Sequence, residues 1–381
     1  MATSWQRGIA ILTGIYVSRM LGLFMVFPVF SLYASELAGA NKTLVGVALG
    51  IYGLSQGLLQ LPCGWLSDRL GRKPVIAAGL LLFVAGSLLA ATATTITMMI
   101  AARAVQGMGA IAAVTLAYAT DITPGEKLGK VMAILGGSIG MAFVLSLIIG
   151  PLVAAWIGVA GLFYLIALIA VLALIASLRL PLVATRPQTA ATGHYDKRQL
   201  MQAAAAIFFL HGVFTATFLV LPPLLVDAGI AKANHWWLYL PANLVALCFM
   251  RVKATPHPLN FGISYLLLAV GTGLLAMPFG TWWLLFALSI YFIAFYRLET
   301  GLPHWVAHIA SPDARGRAMG LYSSAQFLGS FCGGAVAGRL WHDLPPATVL
   351  LPLVAACACA ALLLLKIGKT TTLRAATHSD S

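Results

Sequence analysis

Charge is what this sequence has least of. Only 9% of its 381 residues are Asp, Glu, Lys or Arg, against 61% that are hydrophobic, whereas a soluble domain carries about 25% charged residues. A soluble chain of this length could not cover its surface with so little charge, so the solvent for most of it is lipid. Acid is scarcer than base: ten carboxylates stand against 23 Lys and Arg, for a net charge of +13. The five cysteines, Cys63, Cys248, Cys332, Cys357 and Cys359, all lie in apolar stretches. Their odd number and scattered spacing give neither a disulfide framework nor a metal site, and they read as small polarizable packing residues. No Walker A loop, catalytic constellation or polar stretch long enough for an enzyme domain occurs, so neither an enzyme nor an ATP-driven pump is expected, and no cofactor or metal. The first apolar run, 8–33, exceeds the roughly 7–15 residues of a signal-peptide core and reads as an uncleaved span.

What is present is apolar length. Stretches of about 20 residues, enough to cross a hydrocarbon core, recur at 8–33, 43–67, 73–93, 96–120, 130–156, 160–180, 201–226, 236–251, 260–279, 282–305, 316–340 and 347–366. The longest polar connection holds Arg186, Pro187, His194, Asp196, Lys197 and Arg198. It predicts an N-terminal six-helix bundle over 1–180, a cytoplasmic linker over 181–200, a C-terminal bundle over 201–366 and a short tail over 367–381. With the N-terminus placed in the cytoplasm, seventeen Lys and Arg fall on that side. Three fall opposite (Lys42, Lys232, Arg339) and three within spans (Arg19, Arg103, Arg297). That bias obeys the positive-inside rule and predicts an all-α membrane protein with twelve spans and both termini in the cytoplasm. Basic charge so placed serves topology and contact with anionic lipid, which argues against nucleic acid as a partner. Span eight is the weak point: 236–251 reach only about 24 Å at 1.5 Å per residue, against a core of about 30 Å.

The halves echo each other. Phe27-Pro28-Val29 in span one matches Leu221-Pro222-Pro223 in span seven. Span five carries Gly136, Gly137, Gly140 and Gly150-Pro151, and span eleven carries Gly320, Gly329, Gly333, Gly334 and Gly338. Glycine admits close helix packing in lipid and proline kinks a helix, so matched irregular spans are expected in a transporter built from repeats. Trp236, Trp237, Trp282 and Trp283 fall at span ends, as an interfacial belt would.

The sharpest local pattern is Gly64-Trp65-Leu66-Ser67-Asp68-Arg69-Leu70-Gly71-Arg72-Lys73-Pro74, between spans two and three. A positive-inside loop explains Arg69, Arg72 and Lys73. It does not explain Asp68 among them, nor Gly64 and Gly71, which suit tight helix contact and a turn. This segment resembles motif A of the major facilitator superfamily. Arg103-Ala104-Val105-Gln106-Gly107 is similar to motif B. The run from Gly140 to Gly150-Pro151 resembles the antiporter motif C, with Ala154 and Ala155 where a Gly-Gly pair is usual, and Leu21-Gly22 with Pro28 resembles the span-one motif of drug/proton antiporters with twelve spans. The resemblance covers nearly the whole chain. It implies the major facilitator fold, two six-helix bundles around a central cavity moving by alternating access. It also implies that Asp68 contacts the N-terminus of helix eleven to lock an outward-open state, with Arg72 and Asp121 completing a charge relay.

Charged side chains inside spans cost roughly 2.5–3.5 kcal/mol each at a helix centre on insertion scales, so a functional reason is the default. Arg19, Arg103, Arg297 and Glu299 meet that description, and Glu299 is the carboxylate far from both membrane surfaces. Glu299 reads as a proton carrier or as half of a fixed pair with an arginine. His211, mid-span seven, is a further titratable group, or a histidine simply hydrogen-bonded in the bundle. Arg19, Arg103, Glu299 and His211 are thus the proton-coupling candidates. Tyr52, Gln56 and Gln60 form a polar stripe on one face of span two. With Gln106, Asn243, Arg297, Tyr322 and Gln326 they are the cavity candidates, each equally readable as an interhelical hydrogen bond. The expected function is proton-coupled efflux of a small, drug-like or amphipathic compound by a monomer in a bacterial inner membrane. The alternatives are a facilitator or importer of the same fold, and a non-transporting receptor or scaffold.

Overall fold

The computed structural model describes residues 4–181, 193–249, 257–277, 279–311 and 314–379. Most of the expected linker, with Arg186 and Pro187, lies outside the described residues, as do Arg251 and Lys253 after span eight and the last two residues of the tail. Helices account for nearly all that is described. They are α1 (Ser4–Phe24), α2 (Phe30–Ala34), α3 (Lys42–Leu70), α4 (Arg72–Ala91), α5 (Ile96–Met108), α6 (Ala112–Ile122), α7 (Gly125–Ser177), α8 (Lys197–Asp227), α9 (Trp236–Phe249), α10 (Pro258–Leu275), α11 (Thr281–Ile309), α12 (Arg315–Asp343) and α13 (Pro346–Ser379). Among the described residues no strand forms, and pairing is limited to isolated bridges at Ala38–Thr95 and Tyr195–Ala310.

The elements map onto twelve crossings. Span one is α1 with α2, and span four is α5 with α6, broken over Gly109–Ile111. Spans five and six are one run, α7, whose 53 residues would reach about 80 Å if straight. Gly158 interrupts it with φ of 71°, a left-handed conformation that glycine adopts without penalty. Among the described residues, nine stretches are long and apolar enough to cross a membrane by composition. The shortfall against twelve is α7 counted once, the glycine-rich α12, and α9 with its 14 residues, about 21 Å of helix.

Capping follows local chemistry. Asn41 accepts from the Leu44 backbone N–H at 2.9 Å to start α3, and Thr95 accepts from Met98 at 3.2 Å to start α5. Asp196 accepts from Gln199 at 3.0 Å to start α8, and these bonds hold its carboxyl below the usual carboxylate range. The expected symmetry of proline kinks is only half realised. Span one does break, between Phe24 and Phe30 around Pro28, but α8 runs helical through Pro222 and Pro223.

The two halves meet along α3 and α12. A Cβ on Gly46 would collide with the Gly334 carbonyl, one on Gly53 with Phe327 O, and one on Gly338 would sit 2.9 Å from Lys42 O. Glycine-to-backbone contact lets the helices touch along their length. Span five departs from expectation: Gly136, Gly137 and Gly140 face nothing within 4 Å, whereas Gly150 packs on Met25 O. Gly64 likewise contacts nothing, so of the two motif glycines Gly71, with φ of 96°, is the one that makes a turn. One large apolar core joins both halves toward the end of the molecule away from the termini. A separate core of α1, α4, α6 and α7 side chains, among them Ile9, Leu12, Ile76 and Leu135, serves the N-terminal half near the termini.

Candidate functional site

Three groups of charged or polar side chains stand out. The first lies in the C-terminal half, where α8, α11 and α12 converge. His211 Nε2 lies 2.9 Å from Glu299 Oε2. Gln326 Nε2 lies 2.7 Å from the same His211 nitrogen and 3.2 Å from Glu299 Oε1. One ring nitrogen cannot donate to the carboxylate and accept from the amide at once. The close contacts therefore accommodate two proton arrangements: His211 Nε2–H donating to an ionised Glu299, or a neutral Nε2 accepting from the amide or from a protonated Glu299. The Glu299 side chain retains 29% exposure and His211 10%, so the pair is not sealed by protein. Glu299 is not fixed by an arginine: Arg297, two residues away, donates its Nε to Ser264 Oγ at 3.2 Å.

The second group lies in the N-terminal half. Arg19 on α1 is buried. It donates through Nη1 to the Gly109 carbonyl, which the break between α5 and α6 frees, and through Nη2 to Tyr52 OH at 2.9 Å and Gln56 Oε1 at 3.0 Å. Arg103 on α5 is fully buried. It donates to Gln106 Oε1, whose amide donates onward to Ser87 Oγ at 2.8 Å. The Arg103 guanidinium lies 4.9 Å from the Tyr52 ring centroid and 5.9 Å from that of Phe30. The polar stripe of α3 thus turns inward onto arginines, with Gln60 buried beside it.

The third group is the corner at Gly71. Arg72 is 7% exposed; its Nη1 donates to Asp68 and, at 2.6 Å, to Ser67 Oγ, while its Nε donates to Asp121 Oδ2 at 3.0 Å. One guanidinium thus ties α3, α4 and α6 together. Lys73 donates to the carbonyls of Leu178 at 2.6 Å and Leu180 at 3.2 Å, at the C-terminal end of α7, where a cation also meets the helix dipole favourably. Arg69 stacks on Trp65 at 4.0 Å. Asp68 bonds to Arg72 here rather than to the N-terminus of α12.

Asn243 and Tyr322 stand apart from these groups. Asn243 donates to Tyr239 O and accepts from Tyr296 OH at 2.5 Å, within the C-terminal half. Tyr322 is buried with its hydroxyl unpartnered among the described residues.

Sequence reasoning missed a wall of aromatic rings. Phe27 and Phe143 from the N-terminal half meet Phe214, Phe218 and Phe295 from the C-terminal half at centroid distances of 5.2–6.1 Å, and Phe214 packs on Phe218 and Phe295 at 4.7 and 4.9 Å. His211 lies 6.0 Å from Phe214 and 6.1 Å from Phe295. Along α8 and α11 these rings sit on the side of Glu299 away from the termini, so they close the site in that direction. Beyond them Lys232 and Glu36 join the halves at 3.2 Å. Single phenylalanines in apolar spans carry no signal for such a wall.

A family model described as "Major Facilitator Superfamily" matches residues 12–256. The inner membrane transport protein YajR of Escherichia coli (strain K12) is 35% identical over 340 residues, 85% of this chain and 75% of that protein. The tetracycline resistance protein, class H, of Pasteurella multocida is 32% identical over 156 residues, 40% of this chain and 38% of that one. Among solved structures, the POT family transporter PepTSo superposes with a TM-score of 0.75 at 10% identity, covering 96% of this chain and 98% of that one.

Proposed function

Because the chain belongs to the major facilitator superfamily, a family of membrane transporters and not of enzymes, we propose that it is a proton-coupled exporter of small molecules. In this reading the Glu299–His211–Gln326 cluster is the coupling centre. The observation that carries it is the sharing of one His211 nitrogen between a carboxylate and an amide, 2.9 and 2.7 Å away, in a cluster that protein does not seal. Adding a proton at Glu299 lets it donate to His211 Nε2 in place of Gln326, which is then free to reorient, so protonation reaches α8, α11 and α12 together. Among its relatives the tetracycline resistance protein favours export over import.

The seam supplies the motion. With both termini in the cytoplasm of a bacterial inner membrane, this conformation is closed toward the outside by the α3–α12 glycines, the phenylalanine wall and the Lys232–Glu36 pair. Glu299 is then reached from the cytoplasmic side. Asp68, held by Arg72, is available to cap α12 when the halves rock, which makes the Gly71 corner the gate that distinguishes the two states. The monomer suffices for this cycle.

The test uses purified protein in liposomes with an imposed pH gradient and a solute found by thermal-shift screening. Glu299→Gln is expected to keep exchange of labelled for unlabelled solute while losing accumulation against a concentration gradient. Accumulation at the wild-type level by Glu299→Gln overturns the coupling assignment.

A further inference from the structure

The charge inside the N-terminal half is all of one sign. Its carboxylates are Glu36, Asp68, Asp121 and Glu126, all at helix ends or in loops. Arg19 and Arg103 lie in its interior at 2% and 0% exposure. Hydrogen bonds from neutral groups satisfy part of each guanidinium. Arg19 Nε and Arg103 Nε and Nη2 remain buried with no hydrogen-bond partner among the described residues, and so does the donor Gln56 Nε2 beside them. A guanidinium cannot shed its proton to escape the cost of burial, and a buried charge is stable only when paired. Tyr52 links the two cations, bonding Arg19 through its hydroxyl and stacking its ring beneath Arg103.

We propose that Arg103 and Arg19 form an anion-binding site, so that the transported compound carries a single compact negative group, such as a carboxylate, ahead of an apolar body. The proposal rests on the transporter reading above. The missing counterion is the ligand: a planar fork of N–H donors matches a carboxylate. Access follows from the covers. Phe30 of α2 and Tyr52 of α3 lie over Arg103, and both helices border the seam between the halves. Parting the seam uncovers the guanidinium. The phenylalanine wall next to that seam accepts the apolar body. A cationic compound would instead meet two buried positive charges. An inorganic anion satisfies the same donors, so it is the other source to be distinguished.

Equilibrium binding tests this without any flux measurement, so its failure leaves the proton-coupling reading standing and a failed flux assay leaves this one standing. The probes share one skeleton: naphthalene-1-carboxylate, naphthalene-1-carboxamide and 1-naphthylmethylammonium. Each is titrated against the full-length protein while its melting temperature is followed, with sodium chloride as the inorganic arm. The carboxylate is expected to raise the melting temperature, and the amide and ammonium to leave it unchanged. Arg103→Gln should weaken the carboxylate at least tenfold, and Arg103→Lys, which keeps the charge but loses the fork, should weaken it less than Arg103→Gln does. If chloride alone stabilises the protein through Arg103 and the carboxylate adds nothing, the anion site stands with an inorganic occupant. Equal stabilisation by the amide or ammonium, no effect of any anion, or undiminished carboxylate binding by Arg103→Gln overturns the proposal.

Discussion

Individual side chains carry this account, and the most exacting positions are those where charge is buried. Glu299 tolerates the membrane interior through a histidine and a glutamine, and Arg72 through two carboxylates. Lys73 works differently, as a cation on the last carbonyls of α7. Lys73→Met should lower stability by about 1 kcal/mol through loss of that cap, measurable as a lower melting temperature in detergent with the fold intact. His235, in the connection between α8 and α9, offers a pH-dependent check. Burial pushes its imidazole down to about 4 from 6.5, against a weaker upward pull from a 3.3 Å hydrogen bond with Ile230 O. The folded state therefore binds the proton less readily than the unfolded one. Stability tied to His235 is present above about 6.5 and is lost as pH falls toward about 4. His235→Gln should flatten the fall in melting temperature across that window. An unchanged profile would show that His235 contributes nothing to it. At this scale the sequence was informative in kind but not in pairing. Arg19, Arg103, Glu299 and His211 stand out as polar groups in apolar spans. That Glu299 meets a histidine 88 residues away rather than Arg297 depends on how α8 and α11 are rotated, and one sequence does not fix rotation.

Elements show the same division. Span lengths, the turn at Gly71 and the cap at Asp196 follow from local chemistry that reads directly. Glycine roles do not. Gly46, Gly50, Gly53 and Gly57 make the α3 side of the seam, yet Gly136, Gly137 and Gly140, equally dense along α7, touch nothing. The difference lies in the partner helix, which is distant in sequence. Pro28 and Pro222 likewise look alike as letters, and only the first coincides with a break. Gly46→Leu should prop the seam open, because its side chain would occupy the space of the Gly334 carbonyl. Spin labels at Asn41 and His342, at the far ends of α3 and α12, should report a longer mean separation in Gly46→Leu than in the parent. An unchanged separation would mean that the seam closes by some other contact. Gly333→Val tests packing inside the C-terminal half, where a Cβ would strike the Gly212 carbonyl. Overpacking of this kind costs about 1–3 kcal/mol, to be read from the melting temperature.

On the scale of the whole molecule, two half-bundles meet along the seam of α3 and α12. Charge is distributed unequally between them, with buried cations in one half and the partly exposed carboxylate in the other. In the proposed cycle, rocking brings these sets alternately into contact with each side of the membrane, and proton occupancy of the Glu299 cluster is the bias assigned to it. The force available is ample: a membrane potential supplies about 2.3 kcal/mol per charge per 100 mV. The most direct measurement records lumenal pH and labelled solute together in liposomes holding the protein. Protons should move opposite to the solute, and Glu299→Gln should abolish the pH change while leaving exchange intact. Solute movement with an unchanged lumenal pH, or a pH change that survives Glu299→Gln, would contradict the account.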